Sequence, residues 1–198
     1  MFIQGGFFMQ TILNFSITSN EIISRRFLEL GFSDFESASK YVQLLPYKRK
    51  VEKEDKLCVF EDFGGTCSTK HALLKGLAIE NDFVELKLML GIFMMTETNS
   101  SKISSVLKKY LLKEMPEAHN YLKYRNDVLD FTRKNSSPEN FTHDLVEEIE
   151  IQPRQITDFK IEHHRYFLKN YLKANPHILY SFDDFWKIRE ECIFTLQQ

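Results

Sequence analysis

Apolar residues along this chain repeat at two spacings, and the spacing changes several times between its two ends. Positions three or four apart predict helices over residues 21–30, 35–45, 67–80 and 102–112, and over most of the chain from residue 153 onward. Alternating positions predict strands over residues 84–94 and 144–151, and a short strand or extended approach to a turn over residues 57–63. This order of helices, strands and helices indicates an α+β fold.

Two short segments of strand composition, residues 121–124 and 128–131, are separated by Arg125 and Asn126. This arrangement predicts a β-hairpin with a two-residue turn. A turn of that length fixes two cross-strand pairs, Tyr124 with Asp127 and Leu122 with Leu129. The pairing also decides which side chains share a face of the hairpin.

The hairpin register predicts an acidic neighbour for His119. Side chains alternate between the two faces of a strand, so His119 and Asp130 share one face while Asp127 lies on the other. A four-residue turn keeps this parity, whereas a three-residue turn would reverse it. We therefore expect Asp130, and not Asp127, to lie beside the histidine ring.

A cysteine stands at the predicted start of the helix over residues 67–80. Gly64 and Gly65 allow a tight turn before it, and Thr66 is suited to cap the helix. A thiol in the first turn faces unpaired N–H groups and the positive end of the helix dipole, which favour the nucleophilic thiolate. The same N–H groups can stabilise an oxyanion when sulfur attacks a carbonyl. An inert core cysteine is the competing interpretation of Cys67.

Cys67, His119 and Asp130 are the three side-chain types that a thiol acyl-transfer site requires. The histidine exchanges a proton with the thiol and the leaving group, and the aspartate fixes the ring and supports its positive charge. His71 allows a second interpretation, in which it forms a zinc site with Cys67 and His119. No further ligand has a recognisable spacing, and packing of His71 within the helix explains it equally well, so no metal is predicted.

Five segments carry a resemblance to a known family: Leu45-Pro46-Tyr47 and residues 65–78, 116–124, 129–132 and 188–192. Together they resemble the transglutaminase-like branch of the papain-like cysteine enzymes, and within it a subgroup of uncharacterised bacterial proteins. The resemblance implies a papain-like α+β fold, in which N-terminal helices including the nucleophile helix pack on an antiparallel sheet and further helices follow. It also implies Cys67 as nucleophile, His119 as base and Asp130 as the residue that orients the histidine.

The resemblance implies no substrate, because that superfamily includes protein cross-linkers, peptidases, amidases and members without activity. Many members place an aromatic or bulky residue beside the nucleophile, whereas Cys67 is followed by the polar residues 68–70, which indicates a more polar pocket. In related folds a side chain upstream of the nucleophile supplies a second oxyanion donor. Gln43 and Tyr47 are the candidates, through an amide and a hydroxyl, and both are explained equally well as helix-surface and packing residues.

Composition is that of one folded domain over residues 1–198. A hydrophobic content of 43% and seven glycines indicate a full core without long flexible linkers. The net charge of −2 argues against a nucleic-acid partner. The three cysteines lack pairing spacing, which favours a reducing cytoplasm over a disulfide scaffold: Cys58, Cys67 and Cys192.

No membrane or export segment is predicted. The apolar run over residues 1–9 lacks a basic flank, and the run over residues 86–95 contains Lys87 and is too short to span a bilayer. The sequence leaves open whether Met1 or Met9 is the natural start.

Taken together, the sequence predicts an enzyme that uses Cys67, His119 and Asp130 for acyl transfer or for hydrolysis of an amide or peptide bond. The expected substrate is a small-molecule amide, a peptide or a protein, and no cofactor is expected. The alternative is a transglutaminase-like module for binding or structure, in which the three residues are present but unemployed. Thiol reactivity separates the two, because an activated Cys67 would alkylate faster than Cys58 or Cys192 near neutral pH.

Overall fold

The computed structural model describes residues 13–49 and 53–196. In chain order its helices and strands are α1 (Ile22–Glu29), α2 (Phe35–Leu44), α3 (Cys58–Glu61), α4 (Cys67–Glu80), β1 (Leu86–Thr96), α5 (Ser104–Lys109), β2 (Glu114–Tyr124), β3 (Asp127–Leu129), β4 (Leu145–Ile151), α6 (Asp158–Ala174) and α7 (Phe182–Thr195). The α+β class is confirmed. Met1 and Met9, the two candidates for the natural start, both lie outside the described residues.

The four strands form one antiparallel sheet in the order β3-β2-β1-β4. The predicted hairpin register is confirmed, with Tyr124 opposite Asp127 and Leu122 opposite Leu129. Because β3 pairs only with the last three residues of β2, the earlier part of β2 keeps an open edge on that side. Helix α6 contacts this edge: the His164 ring hydrogen-bonds the Pro116 carbonyl at 3.1 Å.

The two faces of the sheet pack against different helices. One buried cluster joins the sheet to α4 through Leu74, Leu77, Leu88, Leu90 and Leu122. A second cluster joins the opposite face to α6 and α7 through Met95, Met115, Tyr121, Leu168 and Phe185. Most of α4 is buried, so the helix that begins at the cysteine is the central helix of the domain.

The prediction of an extended segment over residues 57–63 is wrong, because these residues include helix α3. The Asp55 side chain accepts a hydrogen bond from the Leu57 N–H at 2.8 Å, and its carbonyl accepts one from Cys58, which starts the helical turn. Phe60 then packs against Phe27 at 4.9 Å between ring centroids. A short apolar run has the same composition in a buried strand and in one buried helical turn, so periodicity does not separate them.

Within the described residues, no helix combines the length and the apolar character that are needed to cross a bilayer. The longest, α6, carries charged side chains along its length.

Candidate active site

The turn before α4 fixes the position of the Cys67 sulfur. Cys67 is the first residue of the helix, and Thr66 is its N-cap, as predicted. The Thr66 hydroxyl accepts a hydrogen bond from the Thr69 N–H at 3.4 Å, and the Thr69 hydroxyl accepts one from the Thr66 N–H at 2.9 Å. A Cβ at Gly65 would lie 2.5 Å from the Thr69 hydroxyl oxygen, so this reciprocal cap requires glycine there.

His119 and Asp130 form a buried pair next to this helix start. His119 Nε2 lies 3.2 Å from Asp130 Oδ2, and the other carboxylate oxygen accepts a hydrogen bond from the Thr132 N–H at 2.9 Å. The Cys67 thiol lies near enough to the His119 ring for each group to shift the pKa of the other. The expectation that Asp130, and not Asp127, lies beside His119 is therefore confirmed.

The electrostatics of this group favour an ion pair between the thiol and the imidazole. Burial alone raises the pKa of Cys67, but the charges of Lys160 and His119 outweigh it and lower that pKa to about 6. Burial alone lowers the pKa of His119, but Asp130 and the Cys67 thiolate raise it to about 10. Burial likewise opposes ionisation of Asp130, yet His119 holds the pKa of that carboxyl well below its usual range. The lowered pKa of the thiol and the raised pKa of the imidazole both favour thiolate and imidazolium near neutral pH.

Lys160 supplies a second cation at the sulfur, and no feature of the sequence had singled it out. Its Nζ lies 3.8 Å from Cys67 Sγ and donates to Ser68 Oγ at 2.8 Å and to Asn120 Oδ1 at 2.9 Å. The Ser68 hydroxyl in turn donates to Asn120 at 2.9 Å, which closes a small ring of hydrogen bonds beside the Cys67 sulfur. No local motif marks Lys160, because it stands in the first turn of α6 and reaches the site only once that helix covers the edge of β2.

His71 is bound at both ring nitrogens, which does not fit the zinc-ligand interpretation. Its Nδ1–H donates to the Cys67 carbonyl at 2.7 Å, and its Nε2 accepts from the Phe131 N–H at 2.8 Å. Burial lowers its pKa to about 4, so the ring is neutral. In the part of the chain that the structure describes, no three His, Cys, Asp or Glu side chains are grouped as metal ligands. His71 connects the start of α4 to the backbone next to Asp130 and holds the two at a fixed separation.

Two buried neutral histidines, His71 and His164, predict a loss of stability in mild acid. Both have a pKa lowered by burial to about 4, whereas an unfolded histidine titrates near 6.5. As pH falls from 6.5 to 4, these histidines become protonated in the unfolded chain while they stay neutral in the folded chain. The free energy of unfolding therefore falls. The full effect is on the order of 2–4 kcal/mol per histidine.

Urea unfolding between pH 7.5 and pH 4.5 measures this effect. His164→Gln keeps a donor for the Pro116 carbonyl and is expected to flatten the pH dependence, whereas His177→Gln, at an exposed position, leaves it unchanged. An unfolding free energy for His164→Gln that falls as steeply as that of the unmodified protein would contradict the prediction.

The two candidate oxyanion donors occupy different places. The Gln43 side-chain amide donates to the Asp130 carbonyl at 3.4 Å and so supports the segment that carries the carboxylate. Tyr47 lines the same cavity as Cys67, and the Arg133 guanidinium lies 4.4 Å from its ring centroid. Burial and the nearby thiolate raise the pKa of the Tyr47 hydroxyl, so it remains a proton donor. Tyr47 is therefore the candidate that lines the same cavity as Cys67.

A cavity of about 470 Å³ includes Cys67, His119 and Asp130 in its lining. Its apolar lining includes Phe93, Met95, Phe141, Ile193 and Leu196. Its polar lining includes Asn99, Ser100, Thr132, Arg133, Lys134, Asn135, Ser136 and Asn140. The volume suits the acyl portion of a small substrate or one or two residues of a peptide.

The structure thus brings together the three side chains that the sequence predicted, Cys67, His119 and Asp130, and adds Lys160. No model of a known protein family, no curated protein and no solved structure matches this chain. Conclusions about its chemistry therefore rest on the geometry of this group.

Proposed function

We propose that this protein is a cysteine-dependent enzyme that transfers an acyl group or hydrolyses an amide or peptide bond. The observation that carries the proposal is the buried chain of interactions from Asp130 through His119 to a Cys67 thiol whose pKa lies near 6. Ionised groups in a protein interior are costly, and they are concentrated where a reaction uses them. A cysteine that only fills core space needs neither the cations nor the ordered histidine.

The first half of the reaction forms a thioester. The Cys67 thiolate attacks the substrate carbonyl carbon, and the carbonyl oxygen becomes an oxyanion that accepts hydrogen bonds from the Cys67 N–H and the Tyr47 hydroxyl. The His119 imidazolium donates its proton to the amide nitrogen as the carbon–nitrogen bond breaks. The amine leaves, and the acyl group remains on sulfur.

The second half releases the acyl group. Neutral His119 takes a proton from a water molecule or an incoming amine, whose oxygen or nitrogen attacks the thioester carbon. The carbon–sulfur bond breaks, the product leaves, and the thiolate and imidazolium are restored. Asp130 holds the imidazole in one orientation through both halves and stabilises its positive charge. These steps use only side chains of the site and need no cofactor.

Lys160 stabilises the resting thiolate in this scheme. Its ammonium is held by Ser68 and Asn120, so the charge stays beside the sulfur whichever protonation state His119 adopts. Two cations at one thiolate also explain how a buried sulfur remains ionised near neutral pH.

We further propose that the domain belongs to the papain-like cysteine enzymes, in their transglutaminase-like branch and the bacterial subgroup that its motifs resemble. The supporting features are the nucleophile at the start of a central helix, the histidine on a strand of an antiparallel sheet, and the carboxylate after the adjacent strand. The substrate is then a small-molecule amide, a peptide or a protein. The three cysteines are buried and are not joined in a disulfide, which supports a reducing compartment such as the cytoplasm.

A screen of amides, peptides and activated esters tests the proposed function, with intact-mass detection of the acyl-enzyme. We expect one acyl adduct, located on Cys67, and turnover that Cys67→Ala abolishes. Cys192→Ala is the matched control, because it removes a buried thiol whose pKa is raised to about 12. Turnover that survives in Cys67→Ala, or an adduct on another cysteine, would show that the proposed nucleophile is wrong.

A further inference from the structure

A buried lysine in the first turn of α4 ties together the two segments that flank the site. Lys70 is 0% exposed, and its ammonium donates to the Leu45 carbonyl and, at 2.8 Å, to the Thr132 carbonyl. Burial lowers its pKa to about 8. An ammonium in a protein interior is costly, and an apolar side chain would fill this space without that cost. The two hydrogen bonds are therefore the feature that the position requires.

The Leu45 carbonyl belongs to the segment that carries Tyr47. Two backbone hydrogen bonds of 3.1 Å hold that segment against the turn before α4, one accepted and one donated by its own backbone, and both join it to Gly65. They lie on either side of Tyr47, and Lys70 adds a third hydrogen bond two residues before it. The start of α4 therefore sets the place of the Tyr47 side chain in the lining of the cavity.

The Thr132 carbonyl belongs to the segment that carries Asp130. His71, the next residue of α4, also contacts this segment, because its Nε2 accepts from the Phe131 N–H at 2.8 Å. The Asp130 segment therefore keeps a direct contact with α4 when the Lys70 ammonium is removed. The effect of that removal falls mainly on the segment that carries Tyr47.

We propose that Lys70 is a positioning residue that holds the Tyr47 hydroxyl where the oxyanion of the acyl-transfer reaction forms. The assignment rests on the proposed function, in which Tyr47 is the second oxyanion donor. A donor stabilises a developing oxyanion most when it is held at that place in advance. Lys70 lies outside the cavity lining, so it acts through the backbone of residues 45–47 and not on the substrate.

Two reactions of Cys67 separate this role from a purely structural one. Acylation by p-nitrophenyl acetate passes through an oxyanion, whereas alkylation by iodoacetamide forms none and depends on the thiolate. We expect Lys70→Met to slow acylation at least roughly tenfold and to leave the alkylation rate unchanged, since loss of a whole oxyanion donor costs about 10²–10³-fold. Tyr47→Phe should slow acylation by the same factor or more. The double variant should be no slower than Tyr47→Phe alone, because Lys70 acts through Tyr47.

Lys75→Met is the matched control, because Lys75 is another buried lysine of α4 whose ammonium donates to a backbone carbonyl, that of Leu86 at the start of β1. It should keep both rates. Unchanged acylation in Lys70→Met, an equal loss of acylation and alkylation, or losses that multiply in the double variant would overturn the assignment.

Lys70→Gln keeps an amide donor without the charge and should show an intermediate loss of acylation, which keeps the test decisive if Lys70→Met does not fold. Failure of the proposed function has a different signature. Slow alkylation of Cys67 in the unmodified protein, together with no acylation of its sulfur, would overturn the proposed function and this assignment with it.

Discussion

Asp130→Asn is expected to slow turnover by roughly 10²–10⁴-fold while the protein stays folded. The substitution keeps the shape of the side chain and an oxygen for the Thr132 N–H, but it removes the negative charge that lies 3.2 Å from His119 Nε2. The histidine then loses both its fixed orientation and the partner that stabilises its protonated form. Steady-state kinetics on any substrate found in the screen measure the loss of turnover. Thermal unfolding checks that the variant stays folded.

Asp127→Asn is the matched control, because Asp127 lies in the same hairpin and pairs with Tyr124. We expect its kcat to equal that of the unmodified protein. The pH profile adds a second readout: Asp130 raises the pKa of His119, so Asp130→Asn should move the alkaline limb of activity to lower pH. An equal loss of kcat in both variants would mean that the hairpin, and not the carboxylate, is what the reaction requires.

Cys67 is expected to alkylate rapidly down to about pH 6. A thiol with a pKa near 6 is mostly ionised at pH 6.5, whereas one with the ordinary value of about 8.5 is about 1% ionised, so the thiolate fractions differ by roughly 50–100-fold. Cys192 should remain unlabelled, because burial and two nearby carboxylates raise its pKa to about 12. Peptide mapping after limited iodoacetamide treatment assigns the label to each cysteine.

The two cations at the sulfur predict how variants shift this profile. Lys160→Met removes an ammonium 3.8 Å from the sulfur and should raise the pKa of Cys67 by roughly 1–3 units. His119→Ala should raise the pKa of Cys67 as well, and the increase in the double variant should be larger than in either single variant. Lys173→Met, at an exposed position on the same helix, should leave the pKa of Cys67 unchanged. Equal labelling of all three cysteines, insensitive to Lys160 and His119, would favour a binding or structural module.

The parts of the fold that the sequence predicted correctly are those that depend on near neighbours in the chain. Helix α4 begins at Cys67 and ends at Glu80 as expected, because the glycine turn, the Thr66 cap and the apolar periodicity all lie within the segment. The pairing of His119 with Asp130 followed from the length of one turn and the alternation of side chains. Helix α3 was not predicted, because a single helical turn is too short for its apolar residues to repeat at helical spacing.

The parts that could not be predicted depend on packing between distant segments. Lys160 reaches Cys67 because α6 lies along the open edge of β2, and no spacing in the sequence records that placement. The two oxyanion candidates were indistinguishable for a similar reason. The direction of the Gln43 amide, towards the Asp130 carbonyl, is set by tertiary packing, as is the position of Tyr47 at the cavity.

The position of Lys160 on α6 has a consequence for synthesis of the protein. Cys67 and Lys160 are 93 positions apart, so the ribosome releases the helix that carries the cysteine long before the helix that carries the lysine. Until α6 docks on β2, the nascent thiol lacks the ammonium that opposes its burial, and it is less ionised than in the finished protein. The lowered pKa of the Cys67 thiol is therefore reached only once α6 has docked, so the reactivity of this thiol reports completion of the domain.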